Sequence, residues 1–167
     1  MKKNLIAAVT CAGLLVSAPI FARPVSVEIT NLTNAIYITP LLVAAHRAGT
    51  HLFSLGHPAS GHLQAMAEGG DISGLAADVA ATGGLVVENP AGGLLGPGET
   101  TTAHMDIRGP LRSSLSMTAM LLPTNDGFVG LDALPIPATR GSYTYYLNAY
   151  DAGTEANDEI INGGGMP

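Results

Sequence analysis

Alternation of apolar and polar positions dominates the chain once its first two dozen residues are passed. In "VSVEIT" the apolar Val25, Val27 and Ile29 alternate with Ser26, Glu28 and Thr30, the period of a strand with one buried face. "NLTN" supplies turn residues, and "AIYITPLLVAAH" predicts a second strand ending at His46. Pro40 inside that run has no N–H for a ladder, so an edge position, a bulge or a strand end is expected there. Further strands are predicted around Leu85 to Glu88 and Thr101 to Ile107. Others follow through "SSLSMTAMLL", with Leu115, Met117 and Ala119 inward, and through "FVGLDALPIP" and "GSYTYYLNAY". Between His51 and Gly84 the texture changes. Leu63, Met66 and Ala67 fall at helical spacing, and Asp71 is placed to cap a second helix that Gly83 and Gly84 would stop. Leu63, Met66, Leu75 and Val79 read as core residues covering one side or end of a sheet. Short strands separated by turn clusters predict an all-β domain, an antiparallel β-sandwich with short helices in a connecting segment, rather than a parallel α/β sheet.

The N-terminus does not belong to that pattern. Lys2 and Lys3 precede the apolar run "LIAAVTCAGLLVSAPIF", and Ala22 is a small residue at a cleavage point. Residues 1–22 read as a secretory signal peptide, too short and too early interrupted by Pro19 for a membrane span. The single cysteine, Cys11, lies within that leader, so the exported chain has neither a disulfide nor a thiolate. The expected organisation is a leader over 1–22, one domain over 23–160 and a glycine-rich tail over 161–167. The expected location is secreted, extracellular or periplasmic.

Charge narrows the partners. Both lysines leave with the leader, and five arginines then face thirteen acids, a net charge of minus eight. With no basic stripe, nucleic acid is excluded as a partner. The lack of clustered basic residues also gives no support to an anionic lipid surface. An acidic, lysine-free domain suits cations or partners that present basic groups.

Three acids sit where a predicted strand gives way to a loop. Asp106 follows "TTTAHM", Asp126 follows "SMTAMLLPTN", and Asp151 follows "YTYYLNAY". Loops at one end of a sandwich converge although they are distant in sequence. Converging carboxylates repel unless a hard cation lies between them, and Ca²⁺ takes six to eight oxygens of this kind. Gly127 and Gly153 would let carbonyls approach, and Asn125, Thr154 and Glu155 are further oxygen donors. The competing explanation is that Asp and Asn simply bond their own turn backbones. No D-x-D-x-D calcium loop is present, and no H-E-x-x-H, G-x-S-x-G or phosphate-loop motif. His46, His51, His57, His62 and His104 are scattered and read as ordinary loop or surface residues.

The ordered pair "LLPTNDGFVGLDALPI" and "YLNAYDAGTEANDE" resembles the spondin N-terminal domain family. Its members carry a Ser-Pro-Asp-Trp-Phe-Val-Gly stretch followed by a Tyr-Asp-Ala-Gly-Thr-Asp stretch. "VEITNLTNAIYITPLLVAAH" and the following "RAGTHLFSLGHPAS" look like bacterial members, and the resemblance covers roughly Val25 to Glu159. It implies an antiparallel β-sandwich similar to calcium-dependent membrane-targeting domains, with one calcium held by three acids at its end. By motif position those acids are Asp126 and Asp151. Asp106 is the only acid near the place of the third. Glu155 stands at the second acid of the latter stretch, and Asp158 and Glu159 read as solvated. Gly127 replaces the family's aromatic residue before Phe128, and the cysteines and companion repeats of the animal proteins are missing. The expectation is therefore a secreted calcium-binding module, not an enzyme, whose ion orders strand-end loops for adhesion or extracellular binding. Its partner would be an envelope or extracellular protein or a glycan. The alternative is a metal-dependent hydrolase at the same site, with His104 the one histidine close in sequence to a proposed ligand.

Overall fold

In a computed structural model, residues 23–108 and 112–156 are described. The leader assigned to 1–22 and the tail assigned to 161–167 lie outside them. The elements are β1 (Arg23–Thr30), β2 (Tyr37–Ile38), β3 (Leu42–His46), α1 (Gly61–Gly69), α2 (Ser73–Ala81), β4 (Leu85–Glu88), β5 (Thr100–Ile107), β6 (Ser114–Leu122), β7 (Gly127–Pro135) and β8 (Asn148–Asp151). They form two antiparallel sheets: a β1–β5 pair, and a larger sheet in the order β4-β3-β6-β7-β8 with β2 beside the end of β6. The architecture is the predicted all-β sandwich with two short helices.

The second predicted strand is broken where Pro40 stands. Ile38 pairs with Leu121 and Leu42 with Thr118, so β2 and β3 run along the same partner with one extra residue between them. Thr39 bridges the gap: its N–H donates to the Met120 carbonyl, and its Oγ1 accepts the Met120 N–H at 3.0 Å. Pro40 thus marks a strand end inside the sheet, not an edge, because the missing donor falls in the bulge.

The larger sheet is covered on both faces, which explains why β3 is buried at every position. Toward the helices, Leu42, Ala44, Met120 and Phe128 pack with Leu63, Met66, Leu75 and Val79. Toward the β1–β5 pair, Val43, Ala45, Met117 and Leu121 pack with Ile29, Ala103, Met105 and Ile107. Each large apolar side chain buried this way is worth roughly 1.5–3 kcal/mol. β6 therefore departs from simple alternation: Ser116, Thr118 and Met120, expected to face solvent, are as buried as their neighbours.

Both helices form as predicted, with Leu63, Met66 and Ala67 on the inner face of α1 and Leu75, Ala76 and Val79 on that of α2. Ser60 caps α1 by accepting the Leu63 N–H. Asp71 acts one residue earlier than a regular cap. The cap position of α2 is Ile72, which makes no side-chain bond, and Asp71 Oδ1 instead accepts the Ser73 N–H at 2.9 Å. The sequence Asn31-Leu32-Thr33 reads as a glycosylation acceptor, but Asn31 is fully buried. Its Nδ2 donates to the Ile36 and Leu95 carbonyls, which ties the end of β1 to the loop before β5.

Candidate functional site: the two ends of strand β7

Asp126 sits in the turn between β6 and β7. Thr124 shapes that turn, its hydroxyl donating to the Leu121 carbonyl at 2.6 Å and accepting the Gly127 N–H at 3.0 Å. A Cβ on Gly127 would lie 2.5 Å from Thr124 Oγ1. The turn is therefore built around a glycine, where the family motif has an aromatic ring. Asp126 is only 4% exposed. Its Oδ2 accepts the Thr154 N–H at 2.8 Å, the Thr154 hydroxyl at 3.3 Å and the Glu155 N–H at 3.1 Å. Its backbone carbonyl accepts the Ala152 N–H. The segment that leaves β8 is thus wrapped around a single buried carboxylate. Removing one partner from such a group costs the full desolvation penalty of what remains.

Asp151 is the last residue of β8, register partner of Gly127, and so lies diagonally across the ladder from Asp126. It is exposed, and its Oδ1 accepts the Gly153 N–H at 2.6 Å. Gly153 has φ +69°, the left-handed conformation that lets the chain turn back toward Asp126. Glu155 is exposed at the same end; Asp158 and Glu159 lie outside the described residues.

Asp106 is elsewhere. It lies within β5, opposite Pro24 of β1, on the outer polar face shared by His104, Ser26 and Glu28. The Thr100 end of β5 adjoins Asn31 and Leu95, and Leu95 is bonded to Ile38, the partner of Leu121. That end is the one near the β6–β7 turn. Asp106 is six residues further on, roughly 20 Å at about 3.3 Å per residue. His104 Nδ1 meets the Ser26 hydroxyl at 3.3 Å. The structure brings Asp126 and Asp151 together and leaves Asp106 and His104 apart from them.

At its other end β7 carries a second anchored carboxylate that sequence reading missed. Leu115 pairs with Leu134 and Met117 with Leu131, so Asp132 and Ala133 together oppose Ser116 in a β-bulge. Ala133 adopts φ +50°, uncommon for a residue with a Cβ. Its N–H donates to Ser116 Oγ at 2.8 Å. Buried His46 donates Nδ1–H to the Arg47 carbonyl at 2.9 Å, and its Nε2 lies 2.7 Å from Ser116 Oγ. Asp132 faces the 47–60 segment. Its Oδ1 accepts the Leu52 N–H at 2.8 Å, and its Oδ2 accepts from His51 Nδ1 at 2.5 Å. The sequence carried no signal for this cluster, because the bulge creates it.

The bulge also explains why "GSYTYYLNAY" is only partly a strand. β8 pairs with β7 from Gly127 to Gly130 and goes no further; beyond that the partner backbone bends, and Tyr143, Tyr145 and Tyr146 stand exposed.

In kind, the donors at the Asp126 end suit a hard cation: carboxylates, hydroxyls and carbonyls with no thiol. Asp126 and Asp151 are the adjacent pair, with Glu155 nearest in the same loop. Among the described residues no three His, Cys, Asp or Glu side chains are grouped as a metal site would require. Carbonyl oxygens and water would have to complete any coordination. Among the described residues no helix is long and apolar enough to cross a membrane.

No curated protein matches the chain. The family described as Spondin_N matches residues 31–159, which takes in the buried Asn31 corner, the larger sheet, the helices and both ends of β7. The chain belongs to the spondin N-terminal domain family.

Proposed function

We propose that the chain is a secreted, non-enzymatic binding module whose β7–β8 end holds a calcium ion, and that the ion-ordered loops form its contact surface for an extracellular or envelope protein or a glycan. Family membership supports an extracellular-type module. The observation that carries the reading further is Asp126, a nearly buried carboxylate gripped by Thr154 and Glu155, with exposed Asp151 beside it. Bound there, calcium would neutralise the two carboxylates. The protein's own contribution is to preset the loop: Asp126 fixes residues 152–155, and Gly153 turns Asp151 and Glu155 onto the same end. An ion that binds only the folded state adds RT ln(1 + [L]/Kd) to stability.

The test is thermal unfolding in excess EDTA and then in millimolar calcium, for the native chain and for Asp151→Asn. The expected result is a calcium-dependent rise in Tm that the variant reduces, with little difference between the two proteins in EDTA. A Tm indifferent to calcium, in protein shown metal-free by elemental analysis, would sink the reading and leave Asp126 as a structural anchor only.

A further inference from the structure

The 47–60 segment and the two helices enclose a crevice of about 420 Å³, within the size range of small-molecule sites. Its floor is apolar, from Leu63, Leu75 and Val79, and Phe53 gives it an aromatic wall. Phe53 is held rigidly. Its ring packs edge-on against Phe128 at 5.2 Å and tilted against Tyr150 at 5.1 Å, over Gly130, where a Cβ would come within 2.7 Å of it.

Besides His51 and Asp78, the polar lining has His57 and the hydroxyls of Thr50, Ser54 and Ser60. His51 gives Nδ1–H to Asp132, and its Nε2 has no hydrogen-bond partner among the described residues. In the neutral imidazole that nitrogen is an acceptor, held by a carboxylate which the bulge at Asp132–Ala133 positions. Non-glycine backbone in the left-handed region costs free energy and persists only where the surroundings enforce it. Here the enforced conformation sets the orientation of a crevice-lining imidazole. Asp78, on α2, lends one oxygen to His62 at 2.7 Å and adds a carboxylate to the rim. A carboxylate and an imidazole lone pair above an apolar floor, with no lysine or arginine in the lining, attract a proton-donating cation.

We propose that this crevice binds a small organic ammonium ion carried on an apolar body. The apolar part lies over Leu63, Leu75 and Val79, and the ammonium group is received by Asp78 and His51 beside Phe53. The site is separate from the Asp126 end and does not depend on calcium.

The test is calorimetric titration of the full chain at about pH 8, above the ordinary imidazole range, with benzylammonium, benzyl alcohol and benzoate. Benzylammonium is expected to bind about tenfold more tightly than benzyl alcohol, with benzoate weakest, and Asp78→Asn to weaken the ammonium about tenfold. Asp78 is well exposed, so the variant should fold; circular dichroism checks this, and His51→Gln provides a second variant with the same expected direction. Equal affinity for the alcohol, tighter binding of benzoate, no binding of any probe, or two folded variants that titrate like the native chain would each overturn the proposal.

Discussion

The two ends of β7 solve the same problem with different means. At the start, Asp126 closes a turn and gathers the N–H groups of Thr154 and Glu155 from the chain that follows β8. Further along the same strand, the Asp132–Ala133 bulge offers a second carboxylate to Leu52 and His51, from a segment far earlier in the chain. Each carboxylate ties an irregular segment to the sheet by accepting backbone N–H groups. They differ in what lies alongside. Asp126 has a second acid, exposed Asp151, as a neighbour, while Asp132 has an imidazole and a buried hydroxyl. A carboxylate beside another carboxylate suits a cation; Asp132, with both oxygens taken by the Leu52 N–H and the His51 imidazole, is already satisfied and serves to orient that ring. Anchoring alone therefore does not mark an ion site, and the neighbouring charge decides.

The largest expected effect tests the anchor that has no second acid. Asp132→Ala leaves the Leu52 N–H without its partner and releases His51, and should cost about 3 kcal/mol by denaturant unfolding, since bonds to a charged group are worth about 1.5–3 kcal/mol each. Hydrogen exchange should rise across residues 50–55 in calcium and in EDTA alike. Asp126→Ala should cost about as much, about 3 kcal/mol in EDTA, with faster exchange at 152–155. Unlike Asp132→Ala, it should also abolish any calcium-dependent gain. If both variants lost the calcium response equally, the contrast between the two ends would fail.

Asp106→Asn should change stability by less than about 0.5 kcal/mol, as expected of an exposed polar position away from any anchor. It should leave a calcium response intact. A lost response would mean that β5 approaches the β7–β8 end when the ion binds. The smallest effect concerns Asp71. The Ser73 hydroxyl first, and the Ser73 backbone N–H second, hold its carboxyl below the ordinary range. A lowered folded-state value means stability that is present above the unfolded pKa of about 3.9 and is lost as pH falls through the lower folded value. Asp71→Asn should therefore narrow the gap between urea midpoints measured at about pH 6 and about pH 3, with no change in the calcium response.

Much of the fold is legible in the side-chain periods. β1 alternates because only one of its faces is covered, and Val25, Val27 and Ile29 turn inward as their spacing requires. α1 is marked by Ser60, Leu63, Met66 and Ala67. Asp126 and Asp151 stand out because each lies at a strand end inside a family motif. β6 is harder to read. A strand covered on both faces has no polar side, and Ser116 and Thr118 look like solvent positions while being partners for His46 and Met66.

Side-chain period and turn chemistry act over a few residues. They are enough to determine the local elements and the antiparallel class; that an acidic turn adjoins an acidic strand end is what the family resemblance implies. Long-range packing alone decides that Asp106 belongs to the outer face of the smaller sheet, that the tyrosine-rich run pairs only from Asn148 onward, and that Asp132 meets His51. Each depends on register and on one extra residue in a bulge, and a shift of one residue in a strand exchanges its two faces. Local sequence does not encode that shift; it is set when two sheets and a helical layer must close over the same strands at once.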